Sequence, residues 1–286
     1  MRLRKPYSVI VFVALILIFA ALGGVSVLAQ EPALKVVARP FEQGEELIYK
    51  AEISRSLLRK LDVATFKFSA SKTSALQETI SANRGATDPA PALKFTSDVA
   101  SEGFFVKLFN IHFHQHVESI VDPESLAVQR TVKLDEQGKR VRTSEAIFDR
   151  TAGKVTWTER DPKDPTRPVR TVSSDFAGPV QDVLSAIYYV RTQQLDIGKS
   201  FDVSISDSGR VVRVPVRVVE KTRMKTALGR VTVVRIDPEL FGQRGLVNLK
   251  GQFSIWLTDD KRHIPVKAVL KSEYGTFEIT LKKFSH

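Results

Sequence analysis

Three of the five histidines stand in one short segment, IHFHQHVES, as His112, His114 and His116, with Glu118 following at the same spacing. On a β-strand, alternate residues project from one face, and imidazole and carboxylate are both zinc ligands. Geometry limits that chemistry. Same-face neighbours on a strand sit about 7 Å apart, whereas Zn–N bonds are about 2.0–2.1 Å. One straight strand therefore cannot close three such residues on a single ion, and two could share a metal only with help from another strand. The competing reading is a polar, solvated strand face opposite Ile111, Phe113 and Val117, which would gain charge near about pH 6. No metal site is assigned, and His112, His114 and His116 are kept only as weak candidates for one.

Two other groups invite a chemical reading. Tyr188, Tyr189 and Arg191 follow one another on a predicted helix. Residues three apart share a helix face, so phenol rings and an arginine could line a ligand, with Arg191 meeting an anionic headgroup. Packing of the helix on a sheet, with the hydroxyls reaching polar partners, is the alternative. In FSIWLTDDKRHIPV, Asp259 and Asp260 stand side by side near Trp256. Neighbours on a strand point to opposite faces, and Asp in a turn bonds its own backbone, so they do not form an acid–base pair. Trp256 is expected to pack or to touch a ligand. No G-x-S-x-G, H-E-x-x-H, phosphate loop or dinucleotide fingerprint occurs. No cysteine is present to serve as a nucleophile. Neither catalysis nor a cofactor is predicted.

The elements that must position these residues are mostly strands. Candidates are 46–53, 63–69, 111–121, 127–134, 141–148 and 154–159, then 201–205, 211–220, 231–236, 253–257, 264–270 and 276–281. Val212, Val214, Val216 and Val218 alternate with other residues at period two. Pro215 lacks a ladder donor, which predicts an edge or a bulge there. A helix is predicted from Pro179, with Val180, Val183, Leu184, Ile187 and Val190 at helical spacing and Gly198 as its stop. A shorter one is predicted over 102–110. The loop RGATDPAP (84–91) and the proline-rich DPKDPTRP (161–168) interrupt the pattern. The second could separate two domains, but similar strand-like segments on both sides favour one. Many strands and few helices predict a mainly β (α+β) fold: a large curved antiparallel sheet or unclosed β-barrel wrapped around one or two helices.

The N-terminus predicts export. Arg2, Arg4 and Lys5 precede an unbroken apolar run from Val9 to Leu22, and Val27-Leu28-Ala29 places small residues at a cleavage site. The same run could serve as a retained inner-membrane anchor. Cleavage is favoured, giving a signal peptide at 1–29 and a single β-rich envelope domain at 30–286. No transmembrane helix is expected in the mature chain, which would sit in a bacterial periplasm with membrane contact open to it. The absence of cysteine leaves a packed core, not disulfides, to hold it. The whole chain carries net charge +11. A basic surface suits anionic envelope partners, and export argues against nucleic acid.

Three stretches together resemble the bacterial DUF3108 family of exported proteins. They are Phe41 to Tyr49 (FEQGEELIY), Asp182 to Arg191 (DVLSAIYYVR) with Leu195 and Gly198, and Gly251 to Asp260 (GQFSIWLTDD) with Ile264, Pro265 and Val266. The tryptophan hairpin is also similar to that of the periplasmic lipoprotein-carrier proteins. That resemblance implies an unclosed barrel with helices plugging its mouth and an apolar ligand beneath them. The expectation is a non-enzymatic envelope protein that binds a lipid-like or otherwise apolar ligand. The alternative is a structural or assembly factor acting through protein–protein contacts.

Overall fold

The computed structural model describes residues 39–55, 58–73, 92–103, 106, 112–242, 245–247 and 250–286. The predicted signal segment, the 84–91 loop, Ile111 and most of the predicted 102–110 helix lie outside the described residues. The first half of the chain supplies β1 (Glu46–Arg55), β2 (Leu58–Thr73), β3 (Ala92–Ser101), β4 (Phe113–Val121), β5 (Val128–Gln137), β6 (Arg140–Asp149), β7 (Lys154–Arg160) and β8 (Arg170–Asp175). The short β9 (Gln181–Asp182) leads directly into a helix, α1 (Val183–Val190). The second half adds β10 (Ser200–Asp207), β11 (Arg210–Thr226), β12 (Gly229–Pro238), β13 (Gly251–Thr258), β14 (Pro265–Ser272) and β15 (Gly275–Ser285).

All fifteen strands form one sheet, in the order β8-β7-β6-β5-β4-β3-β2-β1-β15-β14-β13-β12-β11-β10-β9. Almost every neighbour in space is a neighbour in sequence, as short antiparallel connections favour. The long-range joint is β1 against β15, which staples the two ends of the meander from Glu46↔Ser285 to Ser54↔Thr276. Among the described strands only β9 pairs in parallel, with β10. The 161–168 segment is the exposed loop of the β7–β8 hairpin, whose strands pair from Lys154↔Asp175 to Glu159↔Arg170.

The sheet curls around α1 until its two ends approach without pairing as strands, an unclosed barrel. At one point of the seam Val128 N donates to Val180 O at 3.0 Å. At another, the β10–β11 turn presses against β7 and β8. Gly209 there has φ +80°, and a Cβ on it would lie 2.5 Å from Val172 O and 2.9 Å from Trp157 Cβ. Gly209→Ala is therefore expected to destabilise by about 2–4 kcal/mol, from left-handed backbone strain plus overpacking. Gly198 has the same φ, +80°, with open space around it, so Gly198→Ala should show only the backbone part. Urea unfolding of the two variants separates the terms; equal losses would mean that the seam contact contributes nothing.

Two details depart from the sequence-based expectations. Pro179 does not open the helix, because Gln181 and Asp182 are held extended against Ile205 and Ser206. Asp182 is the N-cap: its carboxylate accepts from Ser185 N, and Ser185 Oγ accepts from Asp182 N, a reciprocal capping box. The helix ends at Val190 with Arg191 as C-cap, and Gly198 serves the turn before β10 instead. Pro215 lies on an interior strand, paired to Asp202 on the β10 side. Its carbonyl accepts from Glu239 N. Nitrogen and carbonyl of one residue face the same neighbour in an antiparallel pair. The missing N–H therefore faces the side where β12 has just ended, and no ladder bond is lost. The bulge of this strand is at Val218/Glu220.

Candidate functional site

Alternation sends one residue in two from each strand to the concave face. Val214 and Val216 from β11, Ile255 and Leu257 from β13 and Phe66 and Phe68 from β2 meet there across the interior. From α1, Val183, Ala186, Ile187 and Val190 face the same space; Val183 and Ile187 are one helical turn apart. The sheet and helix do not close on each other. A cavity of about 270 Å³ remains, and its walls are mostly hydrocarbon.

One end is polar. Ser97, Val117, Lys133 and Ser144 form a single cross-strand rung over β3, β4, β5 and β6, and all four line the cavity. Gln115 lies one inward position along from Val117 on β4 and lines it too. Ser206, Asp207 and Ser208 come across from the β10–β11 turn. Asp182 closes this end, its carboxylate accepting hydrogen bonds from Ser119 Oγ and Thr131 Oγ1 as well as capping the helix. Burial pushes the Asp207 carboxyl up to about 6, against the pull of Lys133, a hydrogen bond from Ser208 and the charge of Arg210; Asp182 adds to the rise.

The tyrosine–arginine group lies elsewhere, which corrects the expectation that it lines a ligand. Tyr188 is fully buried on the other side of α1, its ring stacked on Phe95 with centroids 3.9 Å apart and edge-on to Phe41. Burial pushes its phenol up strongly. Tyr189 is half-buried between the two hydrophobic clusters that flank the helix. Arg191 is fully committed. Its Nη1 and Nη2 donate to the two Glu45 oxygens at 2.5 and 2.8 Å, Nη2 also donates to Pro40 O, and Nε donates to Arg262 O. Tyr188 and Tyr189 are turned about 100° or more around α1 from Ile187, whereas Arg191, one turn after Ile187, is the C-cap just beyond the last helical residue. None of them lines the cavity.

Trp256 points away from the cavity because its neighbours Ile255 and Leu257 point in. It lines a second cleft of about 480 Å³ on the other side of the sheet, among Arg217, Arg235, Asp237 and Glu239, with Lys267 Nζ 5.8 Å from its ring. Asp260 organises the β13–β14 turn, accepting from Thr258 Oγ1, Arg262 N and His263 N. Burial raises its carboxyl, but these hydrogen bonds outweigh it and hold it below the usual carboxylate range. Asp259 pairs with Lys221 at 2.9 Å.

The histidine face is as polar as the alternation predicts. His114 Nδ1 lies 2.9 Å from Glu136, and His116 Nδ1 lies 2.7 Å from Asp98. Lys94 joins at Glu118. His112 is exposed, before the strand begins. Asp98 lies beside both His114 and His116, at 3.8 and 2.7 Å, yet no group of three or more His, Cys, Asp or Glu side chains among the described residues could hold a metal ion. The inward polar positions of the cavity were missed in the sequence. Gln115 carried the signal: it interrupts the apolar side of β4, between Phe113 and Val117.

A nearly closed meander with a helix laid inside it and an apolar hollow beneath that helix defines a barrel-like β-protein. The chain belongs to the family described as "Protein of unknown function (DUF3108)", which matches residues 65–282. Among solved structures it is similar to a beta-barrel-like protein of domain of unknown function DUF1849 from Brucella abortus. The TM-score is 0.53 at 11% identity, covering 88% of this chain and 98% of that one. That likeness is one of fold. A DUF1089 family protein from Pseudomonas aeruginosa matches with a TM-score of 0.37 at 9% identity over 74% of this chain and 92% of that one, too low to carry an argument. No curated protein matches the sequence. Among the described residues no helix is long and apolar enough to cross a membrane.

Proposed function

We propose that this chain is an exported envelope protein that holds a lipid-like ligand in the hollow between α1 and the concave sheet, as a binding protein and not an enzyme. The cavity carries the proposal. Leaving an apolar core unfilled costs about 24 cal/mol per Å³. For about 270 Å³ the forfeited packing is on the order of 6 kcal/mol. Whole domains are stable by only about 5–15 kcal/mol, so a void of this size is a large sacrifice unless something occupies it. The basic and apolar N-terminal segment supports export, and the envelope is where amphiphilic ligands are abundant.

The test is direct. Purified protein is extracted with organic solvent and the extract analysed by mass spectrometry; a stoichiometric amphiphile is expected. Ile187→Trp places an indole into the hollow from the helix side. It should weaken binding of an apolar fluorescent probe at least about tenfold while leaving the far-ultraviolet circular dichroism unchanged. Probe binding that survives this substitution in full would place the ligand elsewhere and remove the proposal.

A further inference from the structure

The cavity has a chemically distinct end, and four of its side chains lack a hydrogen-bond or ion-pair partner among the described residues. Ser97 and Gln115 are 5% and 4% exposed, and both line the hollow. Neither side chain makes a hydrogen bond to any described residue, nor does that of Ser144, and Lys133 has no ion-pair partner within 4.0 Å among the described residues. Buried polar groups in native proteins are paired in roughly nine cases of ten or more. Ser97 and Gln115 are buried and Ser144 and Lys133 half-buried; all four face one patch of the hollow, where a polar ligand group would satisfy them.

The sign of the patch follows from what its members offer. Lys133 has three N–H donors and no acceptor, the two serines have one hydroxyl donor each, and Gln115 adds an amide NH₂. The rung puts Ser144 on the strand beside Lys133 and Ser97 two strands away on the other side, beyond Val117, with neighbouring strands about 4.7–4.9 Å apart. This is a donor-rich cradle around one cation. Asp182, a carboxylate at this end, is already bonded by Ser119, Thr131 and the amide of Ser185. Asp207 feels the charge of Lys133 but does not contact it.

The size of the remainder sets the tail. An apolar cavity of roughly 150 Å³ takes one benzene, so about 270 Å³ has room for on the order of ten to twelve carbon atoms. That matches the tail of a single-chain amphiphile.

From the unpaired donors and this volume, we infer that the ligand is a single-chain monocarboxylate whose headgroup docks on Lys133, flanked by Ser97, Gln115 and Ser144, with its tail under Val183 and Ile187. The inference rests on the cavity-binding proposal and deepens it. It also moves the anion contact from Arg191, where the sequence suggests it, to a lysine on the opposite wall.

Delipidated full-length protein is titrated with dodecanoate, dodecanol and dodecylammonium by calorimetry. Dodecanoate should bind at least about tenfold more tightly than either of the others, because only it gains charge-assisted bonds to Lys133. Lys133→Met should erase that preference, weakening dodecanoate at least about tenfold more than dodecanol, and Lys133→Arg should restore much of it. If Lys133→Met leaves dodecanoate affinity unaltered while Ile187→Trp abolishes it, the headgroup assignment is overturned and the cavity proposal survives. If none of the three binds, or Ile187→Trp leaves binding intact, both are overturned. A preference for dodecylammonium would overturn the carboxylate assignment in favour of a cationic ligand held by Asp207.

Discussion

Arg191→Ala is expected to destabilise the protein by about 3–5 kcal/mol, the range for removing one partner of a buried ion pair. The Arg191 and Glu45 side chains are 0% and 2% exposed, and the pair is bidentate. Removing the guanidinium strands a carboxylate where no water reaches it and frees the carbonyls of Pro40 and Arg262 as well. The rings of Phe41 and Tyr188 pack on the guanidinium, each centroid 5.5 Å from its central carbon, so packing is lost with the charge. Glu45→Gln should cost nearly as much, because it leaves the cation uncompensated. The double variant Glu45→Leu/Arg191→Met removes both charges at similar volume and should recover most of the loss. Urea unfolding of the singles and the double gives the coupling directly. An Arg191→Ala protein within about 1 kcal/mol of the native one would show that the pair is not holding the fold.

The position of that pair explains the size of the effect. Arg191 is the C-cap of α1, and His263 Nδ1–H donates to its carbonyl at 2.7 Å. One side chain thus ties the helix end to the segment that enters β1 and to the β13–β14 turn. Those are the three stretches that carry the family resemblance in the sequence. They are close because the sheet places β1 beside β15 and brings α1 between the two meanders. Arg191 therefore holds the helix over the hollow without touching anything in it.

The strand pattern was legible wherever a strand had one apolar and one polar side, as in β11 and β4. It was not legible where function or position broke that rule. β3 was overlooked although Leu93, Phe95 and Val99 alternate, because the inward position between Phe95 and Val99 is Ser97, a cradle residue. Lys133 hides in the same way: on β5 it follows Thr131 and precedes Asp135, so the inward side of that strand looks polar and the strand looks two-sided. β8 lies at the free edge with only Val172 to mark it, and β9 is too short to leave a period. The tyrosines and Arg191 attracted a ligand role because their residue types are versatile. Which side of an eight-residue helix meets a hollow and which meets solid core depends on how the sheet closes, and local spacing does not encode that. The places where local pattern fails to predict structure are thus largely the places where the cavity lies.

Asp207→Asn is expected to make the protein more stable at pH 7.5, by on the order of 2 kcal/mol. The folded carboxyl titrates at about 6, against an ordinary value of 3.8. Between those values the unfolded chain has already released the proton that the folded chain keeps, so folding takes up a proton. The contribution of Asp207 to stability is therefore fully present below about pH 4 and declines as pH rises to about 6, beyond which the buried charge is a constant penalty. Asparagine keeps the shape and the polarity without the charge. The difference between variant and native should accordingly be near zero at pH 4 and grow through pH 5 to a plateau above about pH 6.5. Urea midpoints of both proteins across that range measure it, and other titrating groups cancel in the difference unless they touch Asp207. A gain that does not vary with pH would mean that the carboxylate is not buried as described. The expected result also bears on the cavity. A carboxylate that lowers stability at neutral pH and faces the unpaired Lys133 across the hollow sets the local charge that an incoming ligand meets, and removing it should strengthen dodecanoate binding at pH 7.5 by the same electrostatic argument.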